Sequence, residues 1–309
     1  MKAVSRLQQI LDDGGFAVTG ELGPPKGCDV EVVRCKAEHL KGMVDAVNVT
    51  DNQTAVVRMS SIATCAILLN LGIEPVMQMV CRDRNRIAIQ SDILGAHGLG
   101  IRNILCLTGD HQHFGNHPQA KNVFDLDSIQ LIQTVKTMRN EGKFVSGDDI
   151  EGAPNMFIGA AASPFSDPFE FRVRRLAKKV AAGAQFIQTQ CVYDLDKFRK
   201  WMEMARDLGL HEKTHIMAGI TPLKSVGMAR YMKNNVAGVD VPDALIQRLR
   251  SAGKGKAAEE GIAIAIETIQ EMKEMEGVHG AHIMAIEWEE KVPGIVERAG
   301  LLPRESVKN

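Results

Sequence analysis

Residues 75–110 read PVMQMVCRDRNRIAIQSDILGAHGLGIRNILCLTGD. An apolar run over 75–81 passes into a charged turn. Apolar residues then recur at three- and four-residue spacing over 87–97, and a second apolar run covers 103–108. Consecutive apolar positions mark strands covered on both faces, and the spacing between them marks a helix. Two such strands joined by a helix lie parallel, because a parallel pair needs a crossover connection.

The same unit recurs on both sides. Further strand-like runs occupy 16–20, 44–50, 157–162, 186–192, 215–220 and 282–286, which makes eight with the two above. Helical spacing fills 31–41, 60–71, 126–142, 170–182, 195–208, 223–233 and 244–276. Ser60 and Ser61 are candidate caps, Asp167-Pro168 precedes another helix, and Gly72, Gly98, Gly142, Gly183 and Gly209 close helices as left-handed residues can. The 244–276 stretch is long for one helix, and Gly253 and Gly255 divide it. Eight alternations fit a closed α/β barrel, and an open doubly wound sheet fits the local patterns as well.

Composition narrows the function. Lys and Arg total 37 against 38 Asp and Glu, and this balance argues against nucleic acid as the main ligand. No apolar run reaches the roughly 18 residues of a membrane span, and the first 16 residues lack the apolar core of a signal peptide. Cys28, Cys35, Cys65, Cys81, Cys106 and Cys191 form no CxxC pair, so the reading is a reduced, cytoplasmic chain without a zinc or iron–sulfur site. His111, His113 and His117 share one loop, but no Cys or carboxylate spacing completes a metal site there, and no metal is expected. No GxGxxG follows a strand, which argues against a Rossmann nicotinamide site.

In a barrel, chemistry gathers where the strands end. Glu21 lies in an apolar run before a rigid Pro-Pro. A carboxyl there loses solvent, which favours its protonated form and suits a general acid; a carboxylate paired with a barrel Arg or Lys and a plain rim residue are the other readings. Gly109 lets backbone approach a ligand, with Asp110 beside it as a polar anchor, although Gly-Asp is also an ordinary turn. Gln190 is an amide in an apolar run, satisfied either by a heterocycle's edge or by a neighbouring strand.

Taken in order, these segments resemble the methylenetetrahydrofolate reductase family over nearly the whole chain. Val18-Thr19-Gly20-Glu21-Leu22-Gly23-Pro24-Pro25 resembles the family's first-strand motif, whose glutamate is the catalytic acid. Val47-Asn48-Val49-Thr50-Asp51 is similar to the flavin-contacting second-strand motif, and Leu105-Cys106-Leu107-Thr108-Gly109-Asp110 to the Gly-Asp motif at flavin and folate. Ala184-Gln185-Phe186-Ile187-Gln188-Thr189-Gln190 resembles the sixth-strand motif, whose last glutamine holds the pterin. Gly219-Ile220-Thr221-Pro222 and His282-Ile283-Met284-Ala285-Ile286 fit strands seven and eight.

The resemblance implies a single (β/α)8 TIM-type barrel, with 1–309 as one flavin-binding domain. It places cofactor contacts at Thr50, Asp51, Gln78, Thr108, Gly109, Asp110, Ser163, Asp167, Arg175 and Lys179, and folate contacts at Glu21, Asp110 and Gln190. Gln78 stands where many members have histidine, Thr108 where some have arginine and Ser163 where others have tyrosine. FAD is the implied flavin and FMN the alternative. Cys81-Arg82-Asp83-Arg84-Asn85 and Val123-Phe124-Asp125-Leu126-Asp127 are similar to two subgroups: the reductase domain of bifunctional homocysteine methyltransferase/reductases, and the flavoprotein subunit of acetogen-type reductases.

The implied reaction is reduction of 5,10-methylenetetrahydrofolate to 5-methyltetrahydrofolate by hydride from reduced flavin, with Glu21 as the acid. Electrons come from NAD(P)H or from an iron–sulfur and zinc partner subunit, and an oligomer or hetero-complex is expected. Two rival readings are a pterin-binding barrel methyltransferase and an electron-accepting subunit that docks redox partners.

Overall fold

In the computed structural model, which describes residues 3–304, every strand pairs in parallel with the next and the eighth returns to the first. The outermost residues of the expected 1–309 span lie outside those described. The order is α1 (Arg6–Asp12), β1 (Ala17–Leu22), α2 (Val30–Leu40), β2 (Ala46–Val49), α3 (Ser61–Asn70), β3 (Pro75–Val80), α4 (Arg86–Gly98) and β4 (Asn103–Leu107). There follow α5 (Ser128–Glu141), β5 (Phe157–Ala162), α6 (Phe169–Ala182), β6 (Phe186–Cys191), α7 (Leu195–Asp207) and β7 (His215–Ile220). The chain ends with α8 (Val226–Asn235), α9 (Asp243–Ser251), α10 (Ala257–Lys273), β8 (Val278–Ile283) and α11 (Val292–Arg298). Gly20 is in register with Val47 on one side and Ile283 on the other, so the sheet has no open edge and the doubly wound alternative is excluded. The molecule is a (β/α)8 barrel.

The period of two along each strand sorts side chains between the barrel interior and the helix layer. Ala17, Ala46, Val76, Leu105, Phe157, Phe186 and Met217 form one buried apolar cluster with Leu7, Ile10 and Leu11 of α1. That helix plugs the end where the strands begin. Its first amides, Arg6 N and Leu7 N, donate to the Glu74 carboxylate at 2.7 and 2.9 Å, a favourable anion at a helix N-terminus. Two residues further along β2 and β6, Asn48 and Gln188 exchange amide hydrogen bonds of 2.6 and 3.0 Å. β2 and β6 are not neighbours, so this pair bridges the interior. The barrel is therefore apolar at one end and polar toward the other.

Several local expectations need correction. β8 begins at Val278, four residues before the expected 282, and ends at Ile283. His279 and Gly280 broke the apolar pattern there. Gly280 is required because a Cβ would lie 2.4 Å from the Ala17 carbonyl oxygen across the closing seam. Gly98 lies inside α4, and Gly100 at φ +96° takes the left-handed position instead. Ser60 caps α3 by accepting from Ala63 N, while Ser61 is buried in the helix. α8 starts at Val226 because Ser225 caps it. The 244–276 stretch does split, with Gly253 and Gly255 at positive φ between α9 and α10. The short helices α1 and α11 lie outside every expected segment.

Candidate active site

A cavity of about 390 Å³ opens where the strands end, within the size range of small-molecule sites. Of the twelve residues named from the sequence, Glu21, Thr50, Asp51, Gln78, Thr108, Gly109, Asp110, Ser163, Arg175, Lys179 and Gln190 all line it. Asp167 does not. It is exposed in the β5–α6 connection, and its backbone carbonyl accepts from Arg172, which does line the cavity.

Glu21 points inward from β1, with its side chain 12% exposed. Its Oε2 lies 3.4 Å from Gln78 Nε2 and 3.7 Å from His282 Nε2. Among the described residues its partners are thus an amide and an imidazole, and the Arg or Lys pairing left open by the sequence is not found. Gln190, two residues beyond Gln188 on β6, faces the cavity and turns its Oε1 back to accept from Cys191 N at 3.2 Å.

The loops after β2 and β4 form a second side. Asp51 is committed to structure: its carboxylate accepts from Arg84 Nη1 at 2.7 Å and Val80 N at 3.0 Å. Thr108 Oγ1 accepts from Ser128 N at the start of α5. Gly109 has φ +90°, and a Cβ there would sit 3.0 Å from the Val80 Cβ, so the main chain is exposed to the cavity where a side chain would not fit. Thr50 is 2% exposed and its Oγ1 has no hydrogen-bond partner among the described residues, an unusual state for a buried hydroxyl. Asp110 is exposed, and its carbonyl is held by Arg82 Nη1 at 3.1 Å.

The third side is basic. Arg172, Arg175 and Lys179 lie on one face of α6 at i, i+3 and i+7. Lys179 donates to the Ala161 carbonyl at 2.5 Å. Burial, with the Arg175 guanidinium nearby, pushes its ammonium down to about 8. Cations gathered this way are stabilised by an anion laid along them.

Sequence reasoning missed four contributors. Arg172 was recoverable from its helical spacing with Arg175 and Lys179. Arg82, 3% exposed, joins the β2 and β4 loops by donating to Asn52 O and Asp110 O, a role with no local signature. Trp201 of α7 lines the cavity, and its indole Nε1 has no partner among the described residues. His282 was read only as a strand residue. Elsewhere, His111 accepts from His113 N in the β4–α5 loop. Among the described residues no group of three or more His, Cys, Asp or Glu could hold a metal ion, and no helix is long and apolar enough to cross a membrane.

The donor set fits a flavin. The unpartnered Thr50 hydroxyl and the exposed main chain at Gly109 offer polar contacts to a flat ring, and the α6 cations offer a phosphate site.

Comparison with known proteins agrees with this geometry. A family model described as methylenetetrahydrofolate reductase matches residues 6–300. Methylenetetrahydrofolate reductase 1 of Schizosaccharomyces pombe is 27% identical over 237 residues, covering 74% of this chain and 36% of that protein. Methylenetetrahydrofolate reductase (NADH) 1 of Arabidopsis thaliana is 24% identical over 321 residues, covering 99% of this chain and 52% of that one. The chain therefore spans between a third and about half the length of these relatives. Among solved structures, an uncharacterized protein from Clostridium thermocellum that binds two copies of 5-methyl-5,6,7,8-tetrahydrofolic acid shares the fold, with TM-score 0.63 and 14% identity over 97% of this chain and 99% of its own. With a barrel closed in the expected order and a family match over nearly its full length, the chain belongs to the methylenetetrahydrofolate reductase family.

Proposed function

We propose that this chain reduces 5,10-methylenetetrahydrofolate to 5-methyltetrahydrofolate, with Glu21 as the proton donor and a flavin held between Gly109 and the basic face of α6. The observation that carries the reading is Glu21 itself: a largely enclosed carboxyl at the cavity floor, with no Arg or Lys on it among the described residues, opposite a wall built for an anion. Family membership, the names of the relatives and the methyltetrahydrofolate bound by the Clostridium protein support the substrate class.

Thr50, Gln78, Thr108 and Gly109 would hold the isoalloxazine, and Arg175 and Lys179, with Arg172, the phosphates. Ser163 also lines the cavity. Three cations along one helix face suit a pyrophosphate better than a single phosphate, which favours FAD over FMN. When bound, the reduced flavin supplies the hydride that turns methylene into methyl. Glu21 holds the proton that opens the folate's imidazolidine ring to the electrophilic 5-iminium cation. Gln190 presents an amide to the donor–acceptor edge of the pterin, and Asp110 anchors it from the β4 loop. Asp51 and Arg84 fix the loop that carries Thr50. Electrons reach the site from NAD(P)H, as the relative named for NADH suggests, or from a partner subunit.

The test is Glu21→Gln. Methyltetrahydrofolate formation falls roughly 10²–10⁴-fold, the usual contribution of a general acid, while flavin stays bound and reducible. Turnover within about tenfold of the unaltered enzyme removes Glu21 from this role. A purified protein without bound flavin that transfers methyl groups points to the methyltransferase instead.

A further inference from the structure

The polar layer beneath Glu21 takes no part in binding any ligand discussed above, yet its buried side chains are bonded to one another across four strands. Thr19 and Asn48 are fully buried, Gln188 is 2% exposed and His282 is 3% exposed. They come from β1, β2, β6 and β8, and each points inward one step below the cavity floor. Gln188 Nε2 donates to both Asn48 Oδ1 (3.0 Å) and Thr19 Oγ1 (3.1 Å), while Asn48 Nδ2 donates to Gln188 Oε1 (2.6 Å). Thr19 Oγ1 lies 2.9 Å from His282 Nδ1. His282 Nε2 lies 3.7 Å from Glu21 Oε2.

A hydroxyl has one proton. Gln188 uses one lone pair of Thr19 Oγ1, which leaves the hydroxyl its proton and a second lone pair, so it can meet His282 Nδ1 as donor or as acceptor. An Nδ1 that accepts leaves the imidazole's own proton on Nε2, the nitrogen facing Glu21. Neither amide can pass a proton on, so the chain is a lock on the ring and not a relay. With Nδ1 accepting, its outer end is the ring N–H that faces the carboxylate.

We propose that His282 is a positioning residue for Glu21: the Thr19–Gln188–Asn48 network fixes the imidazole as the Nε2–H tautomer, and that N–H, together with Gln78 Nε2, receives the carboxylate that Glu21 becomes on giving up its proton. The proposal rests on Glu21 being the acid. At 3.7 Å the contact is longer than a hydrogen bond, and it closes as charge appears on Glu21, as catalytic contacts in ligand-free enzymes often do. A donor set in advance where charge develops needs no reorganisation during the reaction.

Two independent measurements test this on the flavin-loaded enzyme. The first is the ¹⁵N spectrum of the protein labelled at histidine, with the His282 signals identified by their loss in His282→Leu. The unaltered protein shows a protonated Nε2 and an unprotonated Nδ1, and Thr19→Val loses that preference. A protonated Nδ1 in the unaltered protein overturns the proposal. The second is stopped-flow reoxidation of reduced flavin by methylenetetrahydrofolate, set against reoxidation by a quinone that needs no proton from Glu21. His282→Leu slows the folate reaction on the order of 10²-fold relative to the quinone reaction, the scale of a misplaced catalytic group. His282→Gln, whose amide N–H falls near the Nε2 position, restores most of the loss. Equal slowing of both reactions, or no rescue by glutamine, reduces His282 to a packing residue and overturns the proposal. If the unaltered enzyme reoxidises with quinone but not with methylenetetrahydrofolate, the functional reading fails, and the spectrum still decides the lock by itself.

Discussion

At the scale of single residues, backbone shape and charge are separable requirements of the cavity. Gly109 supplies shape. Gly109→Ala would force a side chain to φ +90° and press its Cβ to 3.0 Å from Val80, so the expected cost is about 1–3 kcal/mol of stability with weaker flavin retention. Thermal unfolding and gel-filtered flavin content read both effects, and an unchanged flavin content would show that the main chain there is not a contact. Lys179 supplies charge. Because burial holds its ammonium at about 8, affinity for flavin should fall as pH rises from 7 to 9, and Lys179→Met should bind weakly at both values without the slope. Titration of the flavin-free protein decides it, and a slope that survives in the variant assigns the effect to another group. Glu21 and Gln190 were legible in the sequence because each is a polar residue inside an apolar run, whereas Gly109 reads locally as an ordinary turn and stood out only through the family resemblance. His282 was not. A histidine in a strand reads alike in a core, at a rim or beside a carboxylate, and its partner Thr19 is 263 positions away.

At the scale of elements, neighbouring strands constrain one another through the barrel interior. Phe157 of β5 and Phe186 of β6 stack with ring centroids 4.8 Å apart. Gly159 is what admits the second ring: a Cβ there would lie 2.1 Å from the Phe186 Cζ. Gly159→Ala is therefore an overpacking change with an expected cost of about 1–3 kcal/mol, and adding Phe186→Leu should recover part of it. Urea midpoints of the two single variants and the double variant form the cycle; additive losses would mean the two positions do not share space. The same interior explains what the strand patterns revealed and concealed. Seven strands announced themselves because their helix-facing and inward positions are both largely apolar. β8 was misplaced by its own seam residues, since Gly280 has to be small beside Ala17. α1 passed unnoticed because its apolar face, Leu7, Ile10 and Leu11, has meaning only against a barrel floor assembled from seven distant strands.

At the scale of the whole molecule, closure was the feature local patterns could not decide, because it depends on β8 finding β1, and the β7–β8 pair beside that seam has its own titratable cluster. His279 opens β8 at the plugged end, away from the cavity. Its Nδ1 accepts from Ile216 N at 3.2 Å, its ring meets His215 edge to face at 5.3 Å, and His215 Nε2 lies 3.0 Å from Asp12 Oδ1 at the end of α1. The cluster thus joins α1, β7 and β8. Burial, with His215 and His211 nearby, pushes His279 down to about 4. The folded state therefore favours the neutral ring, whereas the unfolded chain takes up its proton near the ordinary histidine value of about 6.5. Between those two values the unfolded state binds more protons, so stability falls as pH falls through the window and levels off below about 4. The full shift would correspond to about 3.4 kcal/mol, which the ring's partial exposure to solvent screens to on the order of 2 kcal/mol. His279→Asn keeps an acceptor for Ile216 N and removes the titration, so it should flatten the decline between pH 6.5 and 4.5 while leaving stability at pH 7.5 near that of the unaltered protein. Urea unfolding of both proteins across that range measures it, and an equally steep decline in the variant would move the acid sensitivity away from this cluster.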